Sequence, residues 1–240
     1  MENMLQSGYL SVLEAKTRDE LQAQLVHFSQ QLGFQTVAGM TVIDHFLGEP
    51  EFITVDNAPA AYRTNYQDRN NGKRDPVMQH CKTKSVPIIW DQNTYLKANQ
   101  VDKWEQQARF GYRYGISLAL HMPEGRHFML GVVRDQALPN DPVEITRVVA
   151  SLQLFAVHAQ EAAARILVPA SVDSSLPVLT PRELETLRWT MEGKTAWEVA
   201  NVLGISERTA VLHANNAMHK LSCVNKHQAV LKALRLGLIR

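Results

Sequence analysis

The sequence predicts an α+β protein built in two parts. A stretch rich in serine and proline at residues 168–177 predicts a linker between an N-terminal domain, residues 1–167, and a C-terminal domain, residues 178–240. In the first part, apolar stripes and β-branched runs follow in the order helices, strands, helices, strands, helix. That order indicates an α/β/α sandwich around an antiparallel sheet. The second part carries four helix-start signals and predicts a domain of four short helices.

The elements of the N-terminal domain follow from periodicity and turn signals. Leu21, Leu25 and Phe28 share one helical face, and the pair Asp141-Pro142 is a helix-start signal. A Pro-Glu-Gly turn separates two alternating runs, which predicts a hairpin. The predicted elements are a helix at 18–32, strands at 34–43, 51–55, 115–121 and 127–133, and a long amphipathic helix at 141–166.

Composition narrows the class of protein. Of the 240 residues, 45% are apolar and 20% are charged, which is ordinary for a globular chain and disfavours intrinsic disorder. No apolar run is long enough to span a membrane and no secretory leader is visible, so we expect a cytoplasmic protein. Only Cys81 and Cys223 are present, which excludes a disulfide framework and a four-cysteine zinc site. We expect no metal and no cofactor.

The net charge of +1 hides an asymmetry between the two parts. Residues 176–240 contain nine Lys and Arg against five Asp and Glu, a net charge of +4. The other 175 residues contain 16 Lys and Arg against 19 Asp and Glu, a net charge of −3. A small basic module on a slightly acidic body favours an anionic partner for the C-terminal part, although many neutral proteins also have a mildly basic end.

Helix caps define the C-terminal domain. The stretches Thr180-Pro181-Arg182-Glu183 and Thr195-Ala196-Trp197-Glu198 have the spacing of capping boxes, and Ser206 and Asn225 are further N-cap residues. The second and third helices are joined only by Gly204-Ile205-Ser206, which predicts a helix-turn-helix with the third helix as the recognition helix. Caps report helix starts and not function, so an ordinary four-helix module remains the alternative at this point.

Motifs along the C-terminal domain are more specific than its caps. They are Leu179-Thr180-x-Arg182-Glu183-x-Glu185-x-Leu187, Gly193-Lys194-Thr195, Ile205-Ser206-Glu207-Arg208-Thr209, His213, Lys220-Leu221 and Asn225-Lys226. With these motifs the domain resembles, over its whole length, the DNA-binding domain of LuxR-type transcription regulators. The resemblance implies a double-stranded DNA partner. The implied contacts are Ser206, Glu207, Arg208, Val211 and Asn215 on the recognition helix, and Lys194, Thr195, Lys220, Asn225 and Lys226 toward phosphates. Val211 stands where the family often has a polar residue, which would change the base preference or move readout toward a thymine methyl.

The stretch from Tyr62 to Trp90 is unusual for its aromatic residues. Together with Tyr66 and Asp75 they can line a pocket with a few fixed polar groups, in which a buried carboxylate needs donors such as a ligand amide N–H. An ordinary surface helix whose aromatic residues pack on a sheet has the same composition. From the residues alone that second interpretation is favoured.

The spacing changes the balance between these interpretations. Tyr62 is followed by Tyr66 four residues later, Asp75 nine after that and Trp90 fifteen further on, and Gly115 follows Arg113-Tyr114. This pattern resembles the autoinducer-binding domain of quorum-sensing LuxR-type regulators, which bind N-acyl-homoserine lactones. The resemblance implies that Tyr66 donates to the acyl carbonyl and Asp75 accepts from the amide N–H. It also implies that Trp90 packs on the lactone ring.

Two positions depart from the family pattern. Tyr62 stands where the family has a Trp whose indole N–H reaches the lactone carbonyl, and Gly131 stands where Ser or Thr faces the ligand. The departures leave open a modified head group, a different acyl chain or a non-lactone small molecule. The resemblance further implies a homodimer on a palindromic operator, with the dimer surface on helix 141–166 and the last helix.

Two other classes of protein are disfavoured. A response regulator that shares the DNA-binding domain needs an acidic pair after its first strand, whereas Asp44 is followed by His45. An enzyme is disfavoured because no nucleophile elbow, phosphate loop or zinc-protease motif occurs. His121 and His127 flank the predicted hairpin turn, but no acid or cysteine at ligand spacing joins them. Cys81 is expected to line the core or the pocket.

Overall fold

The chain is described from a computed structural model that covers residues 2–45, 49–66, 69–168 and 177–240. It forms two compact units, one N-terminal and one C-terminal. The predicted linker at residues 168–177 lies almost wholly outside the described residues. Within the described ranges, no helix combines the length and the apolar character needed to cross a membrane.

A five-stranded antiparallel sheet forms the centre of the N-terminal unit. Its strands are β1 (Thr36–Ile43), β2 (Glu51–Asp56), β3 (Ile88–Trp90), β4 (Tyr114–Met122) and β5 (Arg126–Arg134). They lie in the order β2-β1-β5-β4-β3, and every neighbouring pair is antiparallel. The predicted hairpin is confirmed as β4 and β5. Alternation along β4 sends Ile116 and Leu118 to one face of the sheet and Gly115 and Ser117 to the other.

Helices cover both faces of this sheet, which confirms the predicted α/β/α sandwich. They are α1 (Glu2–Glu14), α2 (Arg18–Gln31), α3 (Ala60–Tyr66), α4 (Arg69–Arg74), α5 (Pro76–Thr83), α6 (Gln92–Lys97), α7 (Val101–Ala108) and α8 (Pro142–Leu167). Helices α2 and α8 pack on the face that carries Ile116, where the rings of Phe28 and Phe155 stack 3.8 Å apart. Helices α3, α5, α6 and α7 cover the opposite face, and their side chains form a separate aromatic cluster on it.

Several elements of the N-terminal unit were predicted without bounds or not at all. The predicted order has helices before the first strand and between the strand pairs, but it gave no bounds for α1 or for α3 to α7. Strand β3 was not predicted, and the strand predicted at 34–43 begins at Thr36. Strand β3 has three residues, too few to show alternation. Helices α3 to α7 have six to eight residues each, and helices this short depend on tertiary packing rather than on intrinsic propensity.

The C-terminal unit consists of four helices whose starts the sequence predicted correctly. They are α9 (Pro181–Met191), α10 (Ala196–Leu203), α11 (Glu207–Lys220) and α12 (Lys226–Arg235). Capping boxes form at Thr180 and Thr195, and the side chains of Ser206 and Asn225 accept from backbone amides of α11 and α12. Gly204 ends α10 in the left-handed region, at φ 65°, which a residue without a Cβ adopts readily.

Candidate ligand-binding and nucleic-acid sites

An aromatic cluster covers the sheet face opposite α2 and α8. Tyr62 of α3 stacks on Tyr112 with ring centroids 3.9 Å apart and meets Phe110 edge-on at 5.8 Å. Trp90 at the end of β3 meets Tyr95 of α6 edge-on at 6.1 Å. Such tilted and stacked pairs add to the stabilisation from burial alone. The cluster brings Tyr62 and Trp90, two of the predicted ligand-binding residues, into one layer.

Gly115 leaves room for the Trp90 ring. The two residues are partners in the register of β3 and β4, and a Cβ on Gly115 would lie 2.3 Å from Cζ2 of Trp90. The indole Nε1 of Trp90 donates to Ser117 Oγ at 3.1 Å, and Ser117 faces Gly131 across β4 and β5. Ser117 therefore supplies a hydroxyl directly opposite Gly131, on the neighbouring strand. The sequence analysis missed Ser117, although alternation along β4 places it on the same face as Gly115.

Asp75 is a buried carboxylate, with a relative exposure of 5%. Its Oδ1 caps α5 by accepting from the backbone amides of Val77 and Met78 at 2.9 and 3.1 Å. Its Oδ2 accepts from the Tyr95 hydroxyl at 3.4 Å and lies 3.3 Å from Nζ of Lys103. One oxygen of the carboxylate thus caps a helix, and the other faces the Tyr95 hydroxyl and the Lys103 ammonium.

Lys103 and Gln107 of α7 lie beside Asp75 and Tyr95 and were not predicted. They lie one helical turn apart on one face, and Gln107 Oε1 lies 3.5 Å from the Tyr95 hydroxyl, whose single proton it shares with Asp75 Oδ2. Lys103 is 9% and Gln107 is 3% exposed. A signal existed in the sequence, since the two residues have the spacing of a helical face. This spacing alone does not indicate a site, because the partners of Lys103 and Gln107 lie at the start of α5 and on α6.

Two further residues near the candidate pocket are Tyr66 and Cys81. The predicted donor Tyr66 ends α3, and its side chain lies outside the described part of the chain. Cys81 of α5 is buried, and this burial, together with the nearby charge of Asp75, raises the pKa of its thiol to about 12. A thiol with that pKa is not a nucleophile at neutral pH, in keeping with the expected core position.

In the folded chain an acid that is distant in sequence lies beside the histidine pair at the β4–β5 hairpin. Nδ1 of His121 lies 2.9 Å from Nδ1 of His127, and Nε2 of His127 lies 3.1 Å from Asp44 Oδ2. Asp44 is 83 residues away in sequence, so only the pairing of β1 with β5 brings it there. Among the described residues no group of three or more His, Cys, Asp or Glu is arranged to hold a metal ion.

The recognition helix α11 presents an exposed face. Arg208, Val211 and Asn215 lie on it at helical spacing and are all solvent-exposed, Val211 at 42%. Glu207 begins the helix and is exposed, while Ser206 Oγ accepts from the Thr209 amide at 3.1 Å. A hollow of about 390 Å³ beside this face is lined by residues of α9, α10, α11 and the turn before α12. Five of the predicted DNA contacts line it, namely Lys194, Val211, Asn215, Asn225 and Lys226.

Two of the predicted phosphate contacts are engaged inside the domain. Lys220 Nζ donates to Glu183 Oε2 at 2.8 Å, and the Glu183 side chain is 4% exposed. Burial by itself would raise the pKa of Glu183, but hydrogen bonds from Lys220 and Thr180 outweigh it and hold the pKa below 4.5. Thr195 Oγ1 caps α10. Both residues therefore position helices, whatever else they contact.

Known protein families match both units. The autoinducer binding domain matches residues 17–163, and the model of bacterial regulatory proteins of the luxR family matches residues 177–233. The chain belongs to the LuxR family. As a LuxR-family protein it is an autoinducer-binding transcription regulator with a DNA-binding helix-turn-helix, and not an enzyme.

Relatives of this LuxR-family chain match it from end to end. It is 31% identical to the transcriptional activator protein AnoR of Acinetobacter nosocomialis over 100% of both chains. It is 32% identical to the transcriptional activator protein SolR of Ralstonia nicotianae over 98% of each. The crystal structure of Escherichia coli SdiA covers 99% of this chain and 98% of its own, with 26% identity and a TM-score of 0.75. SdiA in complex with octanoyl-rac-glycerol has a TM-score of 0.74 at 26% identity and covers 99% of this chain and 96% of its own.

Proposed function

We propose that the protein is a receptor for an N-acyl-homoserine lactone that binds a palindromic operator as a homodimer and regulates transcription. The observation that carries the ligand class is the buried carboxylate of Asp75, which accepts from the hydroxyl of Tyr95, the residue whose ring meets Trp90 edge-on. A carboxylate at this place can accept the amide N–H that joins an acyl chain to its head group, while an aromatic ring packs on the ring of that head group. No cofactor or metal is part of the proposal.

A second ligand class has its own support. SdiA, which shares this fold over nearly the whole chain, has been solved with octanoyl-rac-glycerol. An acylglycerol offers hydroxyl groups in place of an amide N–H, and these can also donate to Asp75. The Tyr62 and Gly131 departures make such a non-lactone ligand the alternative to test beside the lactone.

Apolar side chains on two helices support the proposed dimer. Val143, Leu154 and Val157 of α8 are 66%, 47% and 50% exposed. Leu231 and Leu234 of α12 are 50% and 38% exposed. Large apolar groups left on a helix face favour association with a second copy. A two-fold dimer would set two α11 helices about one DNA turn apart, which requires an operator of two inverted half-sites. The place of action would be the cytoplasm, where that DNA lies.

Ligand capture tests the proposal. The full chain is produced with no additive, with N-acyl-homoserine lactones of varied chain length, and with octanoyl-rac-glycerol. Soluble yield is recorded, and retained small molecules are identified by mass spectrometry. One lactone retained in stoichiometric amount supports the lactone assignment. Retention of the acylglycerol alone replaces it with the second class, and an empty, soluble protein under every condition contradicts both.

Substitutions link the captured ligand to the pocket. Tyr66→Phe and Asp75→Asn are each expected to raise the half-maximal ligand concentration about tenfold or more, because each removes a hydrogen bond to the ligand. The matched control is Asp102→Asn, which changes an exposed carboxylate at the start of α7. DNA binding at saturating ligand should be unchanged in all three. Wild-type ligand sensitivity in both pocket variants would contradict the proposed pocket.

A further inference from the structure

Lys103 is a buried cation to which the proposed function assigns no role. Its side chain is 10% exposed, and its ammonium lies 3.3 Å from Asp75 Oδ2. With Tyr95 and Gln107 these residues form a group of four polar side chains, each about nine-tenths buried or more. Removing an ammonium from water is unfavourable, so a buried ammonium requires a compensating interaction. Asp75 supplies one such interaction.

The two oxygens of Asp75 are held unequally. A carboxylate accepts at about four positions, and among the described residues four donors lie around this one. Two backbone amides hold Oδ1 at 2.9 and 3.1 Å, whereas Tyr95 and Lys103 approach Oδ2 only to 3.4 and 3.3 Å. Charge-assisted hydrogen bonds are ordinarily about 2.7–2.9 Å long. An N–H from a ligand therefore has to displace a donor, and the weakly held one is at Oδ2.

We propose that Lys103 is a ligand-binding residue that changes partner when the ligand enters. The ligand amide N–H takes its place on Asp75 Oδ2, and the ammonium turns to a carbonyl oxygen of the ligand head group. The four-carbon stem of lysine allows this movement while α7 stays in position. This proposal rests on the proposed function, because it assumes that an acyl amide binds beside Asp75.

Charge balance defines the class of head group. Asp75 and Lys103 are opposite charges in a nearly closed cluster. A neutral head group with one N–H donor and one carbonyl acceptor satisfies both residues and keeps the cluster neutral. A carboxylate head group would bury a second negative charge beside Asp75, and among the described residues the ammonium of Lys103 would have to balance both. The cluster therefore selects an intact lactone or another neutral carbonyl-bearing amide over the ring-opened acid.

The competing interpretation is that Lys103 only neutralises Asp75. In that case its replacement changes the affinity for every ligand by a similar factor, because no ligand atom touches it. A direct contact predicts a loss only for ligands that carry the carbonyl acceptor. Ligands that differ in that one group separate the two interpretations.

The test uses the purified full chain and three probes. They are N-octanoyl-homoserine lactone, N-cyclopentyl octanamide, which keeps the amide but lacks the head-group carbonyl, and the ring-opened N-octanoyl-homoserine. Affinities are measured by titration calorimetry on wild type, Lys103→Met and the exposed control Lys82→Met. Because Lys103→Met leaves Asp75 without its counter-ion, a neutral double variant, Asp75→Asn with Lys103→Met, is measured in parallel.

Wild type and Lys82→Met are expected to prefer the lactone over the cyclopentyl amide by about tenfold or more, as for a hydrogen bond to a charged group. In both Lys103 variants that preference should fall to about threefold or less, and the ring-opened acid should bind wild type more weakly than the lactone. An unchanged preference in the Lys103 variants overturns the proposal while leaving the lactone receptor intact. If wild type binds neither the lactone nor the cyclopentyl amide, the proposed function itself is contradicted, and this inference with it.

Discussion

Replacing Gly115 by alanine should disturb the packing of Trp90 without changing any polar group. The added Cβ would lie 2.3 and 2.5 Å from two ring atoms of Trp90 and 2.7 Å from the backbone oxygen of Val132. Side-chain carbons do not approach other atoms this closely, so the ring or the strand has to move. Trp90 is 4% exposed and cannot swing into solvent without opening the cluster.

The magnitude follows from two losses. Overpacking in a well-packed core costs about 1–3 kcal/mol. If the indole also leaves Ser117, the lost hydrogen bond adds about 1 kcal/mol. We therefore expect Gly115→Ala to lower the free energy of unfolding by about 2–4 kcal/mol. For a unit of this size, the melting temperature should fall by about 4–16 °C.

The assay is urea and thermal unfolding of the full chain, followed by tryptophan fluorescence and circular dichroism. Gly131→Ala is the matched control, because its Cβ would meet only Ser117 Oγ, at 3.4 Å, an ordinary contact distance. Ligand response should weaken in Gly115→Ala, while Gly131→Ala serves as a control for unfolding only, because position 131 faces the proposed ligand. If both variants unfold with wild-type midpoints, the close approach of Trp90 to β4 is wrong.

Three further predictions concern other parts of the chain. Glu183→Gln should destabilise the C-terminal unit by about 1–3 kcal/mol in urea unfolding near pH 7. Because the pKa of Glu183 is held below 4.5, its contribution exists above that pH and is lost on acidification, so the gap between variant and wild type should close in acid. The pKa of Cys81 is raised from 9.0 to about 12, so its thiol should resist alkylation at pH 8 until urea unfolds the chain. Its contribution to the free energy of unfolding should persist below pH 9 and disappear as the pH rises toward 12. Peptide mass spectrometry measures the labelling, and rapid labelling of the native chain would contradict the burial. Arg208→Ala should weaken binding to a selected operator at least about tenfold at fixed salt, whereas the exposed control Arg188→Ala should not; equal affinities would remove Arg208 from the interface.

The accuracy of sequence-based prediction differed between the two units. In the C-terminal unit, Thr180, Thr195, Ser206 and Asn225 each accept from a backbone amide three residues ahead. A cap of this kind is complete within four residues, so local sequence is enough to place each helix start. Gly204 ends α10 by the same local logic, because only its own backbone angles are involved.

The candidate pocket depends on contacts between distant residues. Tyr62, Asp75 and Trp90 were predicted because their spacing resembles a family pattern, and Gly115 because of its position after two motif residues. Nothing local in the sequence indicated that Lys103 meets Asp75 or that Ser117 receives the indole N–H. Asp44 was likewise missed beside His127 because it reaches the hairpin only through strand pairing.

By itself, the sequence determined the helix caps, the two-part organisation and the family resemblance. These depend on residues close together along the chain or on motif spacing that can be read without coordinates. The tertiary structure alone decided which donors surround Asp75 and how tightly each is held. The physical reason is that short helices such as α5, α6 and α7 acquire their positions from packing on the sheet. The polar groups around Asp75 meet only after that packing is complete.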